Sequence, residues 1–341
     1  NGGDGDDIVT GGGGNDIVCG DKGKDQLYGG GGFDVVDYST DAGQGAVRVD
    51  LDANTGTDGW GDTDTYPDGF PAVRGKGTDD TLSGNKQGGS TILGGPGNDT
   101  IVAYGGNRGG NIIFGDGGND NITIASSPES ASNFIFGGLG SDRINDPEIA
   151  AFASDGADTI CGDGEESPPW DNFTEMVEPI NPLTDTDPTD PTLPRYLPPH
   201  TIPDFGGNDV IYGGKGGDTI YGGGGSDVIY GCGGLSDVSG VTNDADLIFG
   251  DFVIDSNDPT APAYLNGGND TIYGGPGDDT IQGGAGNDTI YGGDGNDWMM
   301  GNLGNDTFFG GEADPLITGG GQLDQDYGDT VDYRFAAGDP T

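Results

Sequence analysis

Aspartate recurs every nine residues over long stretches of this chain, each time after a glycine-rich run and two residues before a large aliphatic side chain. The motif is Gly-Gly-x-Gly-x-Asp-x-U-x, where U is the aliphatic residue, and it runs in tandem over residues 2–37 and 274–309. Single copies lie at 94–102, 115–123 and 137–145, and a tandem pair lies at 213–230. Carboxylate oxygens are hard donors of the kind that Ca²⁺ prefers. The spacing therefore predicts a regular series of cation sites.

Each repeat divides into a six-residue loop and a three-residue strand. The glycines let the loop adopt positive φ, and U points inward because side chains on a strand alternate between faces. Two repeats make one coil of eighteen residues, with a strand on each face and a loop on each edge. The predicted fold is an all-β, right-handed parallel β-roll, or β-helix solenoid, with the U side chains as its core. These are Val9, Val18, Leu27, Val36, Leu82, Ile101, Ile122, Ile144, Ile220, Ile229, Ile281, Ile290, Met299 and Phe308.

The predicted cation ligands are the aspartates at the sixth position of the repeats. Aspartates eighteen residues apart, such as Asp7 and Asp25, stack on one edge in consecutive coils. The set is Asp7, Asp16, Asp25, Asp34, Asp80, Asp99, Asp120, Asp142, Asp158, Asp209, Asp218, Asp227, Asp246, Asp270, Asp279, Asp288, Asp297 and Asp306. So thin a core cannot offset the conformational entropy of 75 glycines. Metal binding must add folding free energy, and we expect the metal-free chain to be largely unfolded.

Between residues 75 and 161 the residue at this position alternates in chemical type. In chain order it is Asp80, Ser90, Asp99, Asn111, Asp120, Asn133, Asp142 and Asp158. One edge should keep its carboxylates, while Asn and Ser hydrogen-bond the turns of the opposite edge. The carboxylate-poor edge is a candidate partner surface, and neutral drift explains the pattern equally well.

The tandem motif resembles the RTX (repeats-in-toxin) family, the hemolysin-type calcium-binding nonapeptide-repeat proteins, over most of the chain outside its insertions. The resemblance implies that Ca²⁺ lies between successive loops of one edge. It also implies that the ligands are the sixth-position carboxylates and main-chain carbonyls of the two loops. Roughly ten to fifteen ions would fill most of the stacked loops. A secreted, extracellular or cell-surface location is implied as well.

Composition divides the chain into roll segments and insertions. Val47, Val49 and Leu51 alternate with polar residues and predict an extra strand. The Pro-rich residues 162–205 cannot continue a strand ladder and are either an excursion from one roll or a linker between two rolls. The predicted segments are an N-terminal β-roll stack (1–37), an insertion with the extra strand (38–74), a β-roll continuation with alternating half-coils (75–161), the Pro-rich excursion (162–205), a β-roll (206–249), a loop insertion (250–266) and a C-terminal β-roll stack with an end cap (267–341).

The charge balance is strongly acidic, with 59 Asp and Glu residues against 11 Lys and Arg residues and a formal net charge of −48. Nucleic acid is excluded as a natural partner, because so few cations cannot neutralise phosphates. No apolar run reaches the length of a membrane span, so membrane insertion is not expected. The chain begins with Asn1 directly before a repeat, and we expect it to be a piece of a longer array.

The cysteines are Cys19, Cys161 and Cys232. Cys19 and Cys161 are several coils apart, which exceeds the reach of a disulfide. We expect all three to be unpaired. A bridge between Cys161 and Cys232 is the alternative, since these two lie roughly two coils apart.

Outward-facing residues suggest where a partner could bind. Tyr273, Tyr291 and Phe309 should form an aromatic column that either stabilises its sheet or offers a contact surface. This column and the coil ends, which expose unpaired strand edges, are the candidate surfaces for self-association.

The sequence favours a role other than catalysis. Its only histidine, His200, lies in the Pro-rich insertion, and no motif of a nucleophilic or metal-dependent hydrolase occurs. We expect a calcium-dependent extracellular structural or interaction protein, a β-roll rod in a surface layer, filament or adhesin. The alternative is a calcium-triggered secretion and folding module of a larger secreted hydrolase or toxin. A third possibility, glycan binding by residues 162–205, rests on Trp170 and Tyr196.

Overall fold

The computed structural model describes the greater part of the chain. The described residues are 1–105, 109–125, 133–144, 158–162, 207–214, 217–232, 245–251, 267–310, 316–318 and 330–332. Among them, no helix is long and apolar enough to cross a membrane.

The described segments are built from short strands. These are β1 (Gly3–Asp4), β2 (Ile8–Gly13), β3 (Ile17–Val18), β4 (Asp21–Lys22), β5 (Gln26–Gly31), β6 (Val35–Asp37), β7 (Arg48–Asp50), β8 (Thr55–Thr57), β9 (Thr63–Thr65), β10 (Ala72–Arg74), β11 (Thr81–Ser83), β12 (Thr91–Pro96), β13 (Thr100–Tyr104), β14 (Ile112–Gly117), β15 (Asn121–Ala125), β16 (Phe134–Leu139), β17 (Arg143–Ile144), β18 (Thr159–Cys161), β19 (Val210–Gly214), β20 (Thr219–Gly223), β21 (Val228–Cys232), β22 (Leu247–Asp251), β23 (Thr271–Pro276), β24 (Thr280–Ala285), β25 (Thr289–Asp294), β26 (Trp298–Leu303), β27 (Thr307–Phe309), β28 (Leu316–Thr318) and β29 (Thr330–Asp332).

Two long sheets face each other across a narrow core. The 12-stranded sheet has the spatial order β3-β6-β10-β12-β14-β16-β18-β20-β22-β24-β26-β28. The 15-stranded sheet has the order β2-β5-β9-β8-β7-β11-β13-β15-β17-β19-β21-β23-β25-β27-β29. Consecutive strands along the chain thus alternate between sheets over most of the roll, and neighbours within a sheet are parallel except at β7–β8 and β8–β9. A small third sheet pairs β1 with β4.

The strand register places each U side chain over the U of the next coil. Ile101 pairs with Ile122 in the 15-stranded sheet, and Ile113 pairs with Ile135 in the 12-stranded sheet. These side chains are fully buried and form one continuous cluster with the other U residues. Val9, in a strand at the end of its sheet, is only partly buried against that cluster. The predicted fold, an all-β roll with a single inward column, is confirmed.

Glycine at the fourth position of the repeat allows the coils to approach each other. Gly118 has a φ of 137°, and a Cβ on it would collide with the carbonyl oxygen of Gly97 in the preceding coil. A side chain at this position would push the coils apart, so the repeat requires glycine here for stacking as well as for backbone conformation.

The insertion at 38–74 extends the roll instead of leaving it. Its last strand, β10, joins the 12-stranded sheet between β6 and β12. Its other three strands, β7 to β9, form an antiparallel meander inside the 15-stranded sheet, where only β7 follows from the sequence pattern. Val47, Val49 and Leu51 are buried there, as their alternation predicts.

The two sheets continue across the Pro-rich insertion. Ile144 pairs with Ile211, and Ile160 pairs with Ile220, each in parallel register. The residues on either side therefore belong to one roll, and the alternative of a linker between two rolls is wrong. Residues 163–206, with Trp170, Tyr196 and His200, lie outside the described residues, as do 252–266 of the predicted loop insertion.

The cysteines are placed on different sheets. Cys19 and Cys161 are free. The backbone of Cys161 pairs with Tyr221 in the 12-stranded sheet, whereas that of Cys232 pairs with Gly214 in the 15-stranded sheet. The alternative of a bridge between Cys161 and Cys232 is therefore wrong, because Cys161 is free and the two residues lie in strands of different sheets.

Candidate calcium sites along the two edges

The sixth-position residues form two columns, one on each edge of the roll. Edge 1 consists of the loops that lead into the 15-stranded sheet, and edge 2 of those that lead into the 12-stranded sheet. Edge 1 carries Asp7, Asp25, Asp80, Asp99, Asp120, Asp142, Asp209, Asp227, Asp270, Asp288 and Asp306. Edge 2 carries Asp16, Asp34, Asp158, Asp218, Asp246, Asp279 and Asp297. Every aspartate predicted from the sequence thus lies in one of the columns.

Each column is held by a ladder of hydrogen bonds between coils. The backbone N–H of Asp99 donates to Oδ1 of Asp120 at 2.7 Å, and that of Asp120 donates to Oδ1 of Asp142 at 2.8 Å. The same bond recurs near the C-terminal end, from the N–H of Asp270 to Oδ1 of Asp288 at 2.9 Å. One carboxylate oxygen of each repeat is therefore committed to the backbone of the preceding coil.

A second ladder runs in the opposite direction along fifth-position residues. The N–H of Asn119 donates to Oδ1 of Asn98 at 2.8 Å, and the N–H of Ser141 donates to Oδ1 of Asn119 at 2.8 Å. Asn305 and Asn287 repeat the arrangement at 2.9 Å. Each edge loop is thus clamped to both neighbouring coils, which explains why Asn is frequent before the aspartate.

The second carboxylate oxygen of four of these aspartates is buried without a protein partner. Oδ2 of Asp99, Asp120, Asp270 and Asp288 is buried and accepts no hydrogen bond. Burying such an oxygen without a partner is unfavourable.

The space beside that oxygen is bounded by the first-position glycines of two consecutive loops. A Cβ on Gly94 would collide with Oδ2 of Asp99 and would lie 2.6 Å from the carbonyl oxygen of Gly115 in the next coil. A Cβ on Gly115 would meet Asp120 and the Gly137 carbonyl in the same way. A carboxylate oxygen of one coil and a carbonyl oxygen of the next thus lie close to the same position, and oxygen donors of this kind fit Ca²⁺.

Side-chain ligands are sparse in this arrangement. The described segments contain no group of three or more His, Cys, Asp or Glu side chains that could hold a metal ion. An ion between two coils would therefore take most of its oxygens from main-chain carbonyls, as the resemblance to RTX proteins implies.

Burial makes the column carboxylates weak acids without a cation. Burial is the largest cause of a rise in pKa from 3.8 to about 8 for Asp99 and Asp288, and to about 7 for Asp120 and Asp270. The negative charges of neighbouring column aspartates contribute to this rise in the pKa of Asp99, Asp120 and Asp288. A bound divalent cation would reverse this effect, because it favours the ionised form.

The carboxylate-poor part of edge 2 satisfies its own polar groups, as the sequence predicts. The N–H of Ser90 donates to Oδ1 of Asn111 at 3.0 Å, and the N–H of Asn111 donates to Oδ1 of Asn133 at 2.9 Å. The Asn111 amide also donates to the carbonyl of Tyr104 at 3.0 Å. Asn side chains thus hold the coils of this part of edge 2 together where no carboxylate is present.

Several acidic residues of the edges are missing from the sequence prediction because they lie outside the sixth position. Asp64, from the insertion, extends the column of edge 1 by accepting the N–H of Asp25 at 2.9 Å. Asp251 stands at the second position of its loop and accepts the N–H of Ala285 at 2.7 Å, and burial raises its pKa to about 9. Asp58 is buried in a turn of the insertion. No spacing in the sequence points to these residues.

Alanine substitution of one first-position glycine should block one cation site. In Gly115→Ala the new methyl group would occupy the space between Asp120 and the Gly137 carbonyl. We expect several-fold more calcium to be needed for folding, followed by circular dichroism. Gly117→Ala is the matched control, since a Cβ there meets nothing within 4 Å. Equal calcium requirements for the two variants would contradict this placement of the ion.

Acidification should partly replace calcium. Because the pKa values of Asp99, Asp120, Asp270 and Asp288 are raised in the folded chain, the folded state binds protons more tightly than the unfolded state. This contribution to stability is complete below about pH 4 and is lost as the pH rises through 7 to 8. In calcium-free buffer, β-sheet circular dichroism should therefore increase as the pH falls from about 8 to about 5. A signal that stays constant or decreases over this range would contradict the prediction.

Comparison with known protein families agrees with this geometry. The family model of the RTX calcium-binding nonapeptide repeat (4 copies) matches residues 1–36, 74–108, 86–122, 129–145, 205–234, 264–299 and 291–325. A search of curated proteins found no match. The matched segments cover more than half of the chain and include most of the column aspartates. The chain therefore belongs to the RTX family of calcium-binding nonapeptide-repeat proteins, whose members are typically secreted.

Proposed function

We propose that this protein is a calcium-dependent, non-enzymatic structural or interaction protein located outside the cell. In this proposal it forms a β-roll rod within a surface layer, filament or adhesin, and the column aspartates of both edges bind its calcium ions. The observation that carries the proposal is a continuous roll that presents a regular column of aromatic rings on one outer face.

The aromatic column consists of Tyr212, Tyr230, Tyr273, Tyr291 and Phe309 on the 15-stranded sheet. Successive ring centroids are 4.6, 4.8, 4.6 and 4.4 Å apart, and the rings are within 7° of parallel. All five side chains are partly exposed. Stacking of this kind stabilises neighbouring strands. The exposed ring edges add a flat apolar strip, which suits contact with a second rod.

The proposal is tested by assembly measurements in calcium. We expect the wild-type protein to form multimers in sedimentation velocity and in electron micrographs. The double variant Tyr273→Ser with Tyr291→Ser should remain single rods, with little change in its circular dichroism. Tyr221→Ser is the matched control, because Tyr221 stacks on Phe249 in the other sheet. A wild-type protein that stays monomeric at every calcium concentration would refute the filament role, and multimers in the double variant would place the contact elsewhere, for example at the coil ends.

A second candidate is a calcium-triggered secretion and folding module of a larger secreted hydrolase or toxin. The buried carboxylates favour it, because they make the folded state depend on a cation. Low calcium inside a cell would keep such a module unfolded for export. Sequencing the complete gene tests this candidate: a catalytic domain in the same reading frame would support it, and further repeats alone would favour the rod.

A further inference from the structure

The turn at residues 58–62, here called the edge turn, replaces a nonapeptide loop on edge 1. It joins β8 to β9 and lies next to the loop at 20–25. This position follows from the N–H of Thr65, which donates to the carbonyl of Asp25 at 2.9 Å, and from the pairing of Gln26 with Thr65. The edge turn therefore stands where the next coil would place its glycine-rich loop.

Asp58 holds the edge turn together with one carboxylate oxygen and leaves the other unused. Its Oδ1 accepts the N–H of Trp60 at 3.0 Å and that of Asp62 at 2.8 Å. Its Oδ2 is buried and accepts no hydrogen bond. The residue as a whole is 1% exposed, so water cannot easily solvate this oxygen.

Asp25 presents a matching oxygen from the loop below. Its Oδ1 accepts the N–H of Asp7 at 2.8 Å, whereas its Oδ2 is buried without a hydrogen-bond partner. At regular coils the space beside Oδ2 is bounded by a carbonyl of the next loop. Here the three atoms closest to a Cβ on Gly20 all belong to Asp25. No carbonyl oxygen of the next coil is among these three atoms, and the edge turn that lies there carries a second buried carboxylate, that of Asp58.

We propose that Oδ2 of Asp25 and Oδ2 of Asp58 together bind a divalent cation, Ca²⁺, in a site that the nonapeptide repeats do not build. Two carboxylates of like charge stay ionised in a buried space only if a cation lies between them. Burial is the main cause of the raised pKa of Asp25 and of Asp64, and the negative charge of Asp58 raises both pKa values as well, in agreement with its position close to both.

Asp64 does not compete for this ion. Its Oδ1 accepts the N–H of Asp25, and its Oδ2 accepts the hydroxyl of Tyr38 at 2.8 Å. The hydroxyls of Tyr38 and Tyr66 lie 2.7 Å apart. Both oxygens of Asp64 are thus occupied by protein donors, and the two unused oxygens of Asp25 and Asp58 remain for the cation.

On its other side, the edge turn lies next to a positively charged side chain, that of Lys76. The ammonium group of Lys76 is buried and donates to the carbonyl of Gly43 at 2.5 Å. A Cβ on Gly59, in the edge turn, would lie 2.7 Å from this nitrogen. The edge turn thus lies between Lys76 of the following loop and the loop that carries Asp25. This arrangement fits a column in which a positive charge lies between every two consecutive loops of edge 1.

The test is a crystal structure of the complete chain grown in calcium, with an anomalous difference map. We expect a peak about 2.3–2.6 Å from both Oδ2 atoms. Asp58→Asn should lose this peak and keep the peaks of the regular coils. Asp62→Asn, the matched control, removes a charge from the same turn and should keep all of them. A filled column whose Asp25–Asp58 interval contains no ion, or an Asp58→Asn variant with an unchanged peak, would overturn the inference.

This outcome is distinct from a failure of the proposed function, on which the identity of the ion rests. If the regular coils of edge 1 were also empty, the calcium columns would be wrong, and the Asp25–Asp58 site with them. A measurement in solution covers the case of poor crystals. Trp60 should sensitise the luminescence of Tb³⁺ bound at Asp58. Trp60→Phe and Asp58→Asn should therefore each remove the same fraction of the Tb³⁺ emission. The double variant should remove no more than either single variant. Fully additive losses would contradict the site.

Discussion

Chelation of calcium at pH 8 is expected to abolish the β-sheet circular dichroism of this chain. The inward column supplies about one apolar side chain per nine residues, and burial at about 25 cal/mol per Å² is small against the ordering of 75 glycines. Removing the ions would also leave the formal net charge of −48 without bound cations. Each buried column carboxylate would then either stay ionised with no cation beside it or take up a proton. We therefore expect chelation to unfold the chain completely, and not only to lower its stability.

The ion specificity of this transition provides its control. Calcium added back should restore the signal, whereas magnesium at the same concentration should not, because Mg²⁺ demands short octahedral geometry and keeps its waters. A chain that retains its sheets in excess chelator at pH 8 would refute the view that metal ions hold the coils together.

Each column aspartate has two roles, to accept a backbone N–H and to bind a cation, and substitutions of a single aspartate should separate them. Asp120→Asn keeps an acceptor for the N–H of Asp99 but removes the charged oxygen that faces the next coil. We expect it to raise the calcium concentration needed for folding while changing urea resistance in saturating calcium only modestly. Asp120→Ala removes both roles and should add the cost of an unpaired buried N–H, about 1–3 kcal/mol.

Asn111→Ala is the matched control on the carboxylate-poor edge. It too removes the acceptor of a buried backbone N–H, that of Ser90. We expect a similar loss of stability, about 1–3 kcal/mol in urea unfolding, with little change in calcium requirement. If Asp120→Asn folded at the wild-type calcium concentration, or if Asn111→Ala shifted that concentration as strongly, the assignment of metal to edge 1 in this region would be wrong.

The nonapeptide pattern by itself determines the fold and the two columns. A period of nine with alternating inward side chains leaves one way to stack Ile101 on Ile122, and that register brings Asp99 next to Asp120. The change from Asp to Asn at residues 111 and 133 likewise predicts which edge loses its carboxylates. These features are local and repeated, so each coil specifies them again.

Only the tertiary structure decides what happens at the insertions. The partners there are separated by stretches without a period: Asp25 binds Asp64 across 39 residues, and Asp142 binds Asp209 across 67. The length of an insertion does not reveal whether its strands enter a sheet, as β7 to β10 do, or whether the roll simply resumes after it, as it does at Ile211. The Asp25–Asp58 pair and the buried Lys76 arise from such long-range pairing, which depends on how the whole roll closes and not on the spacing of residues along the chain.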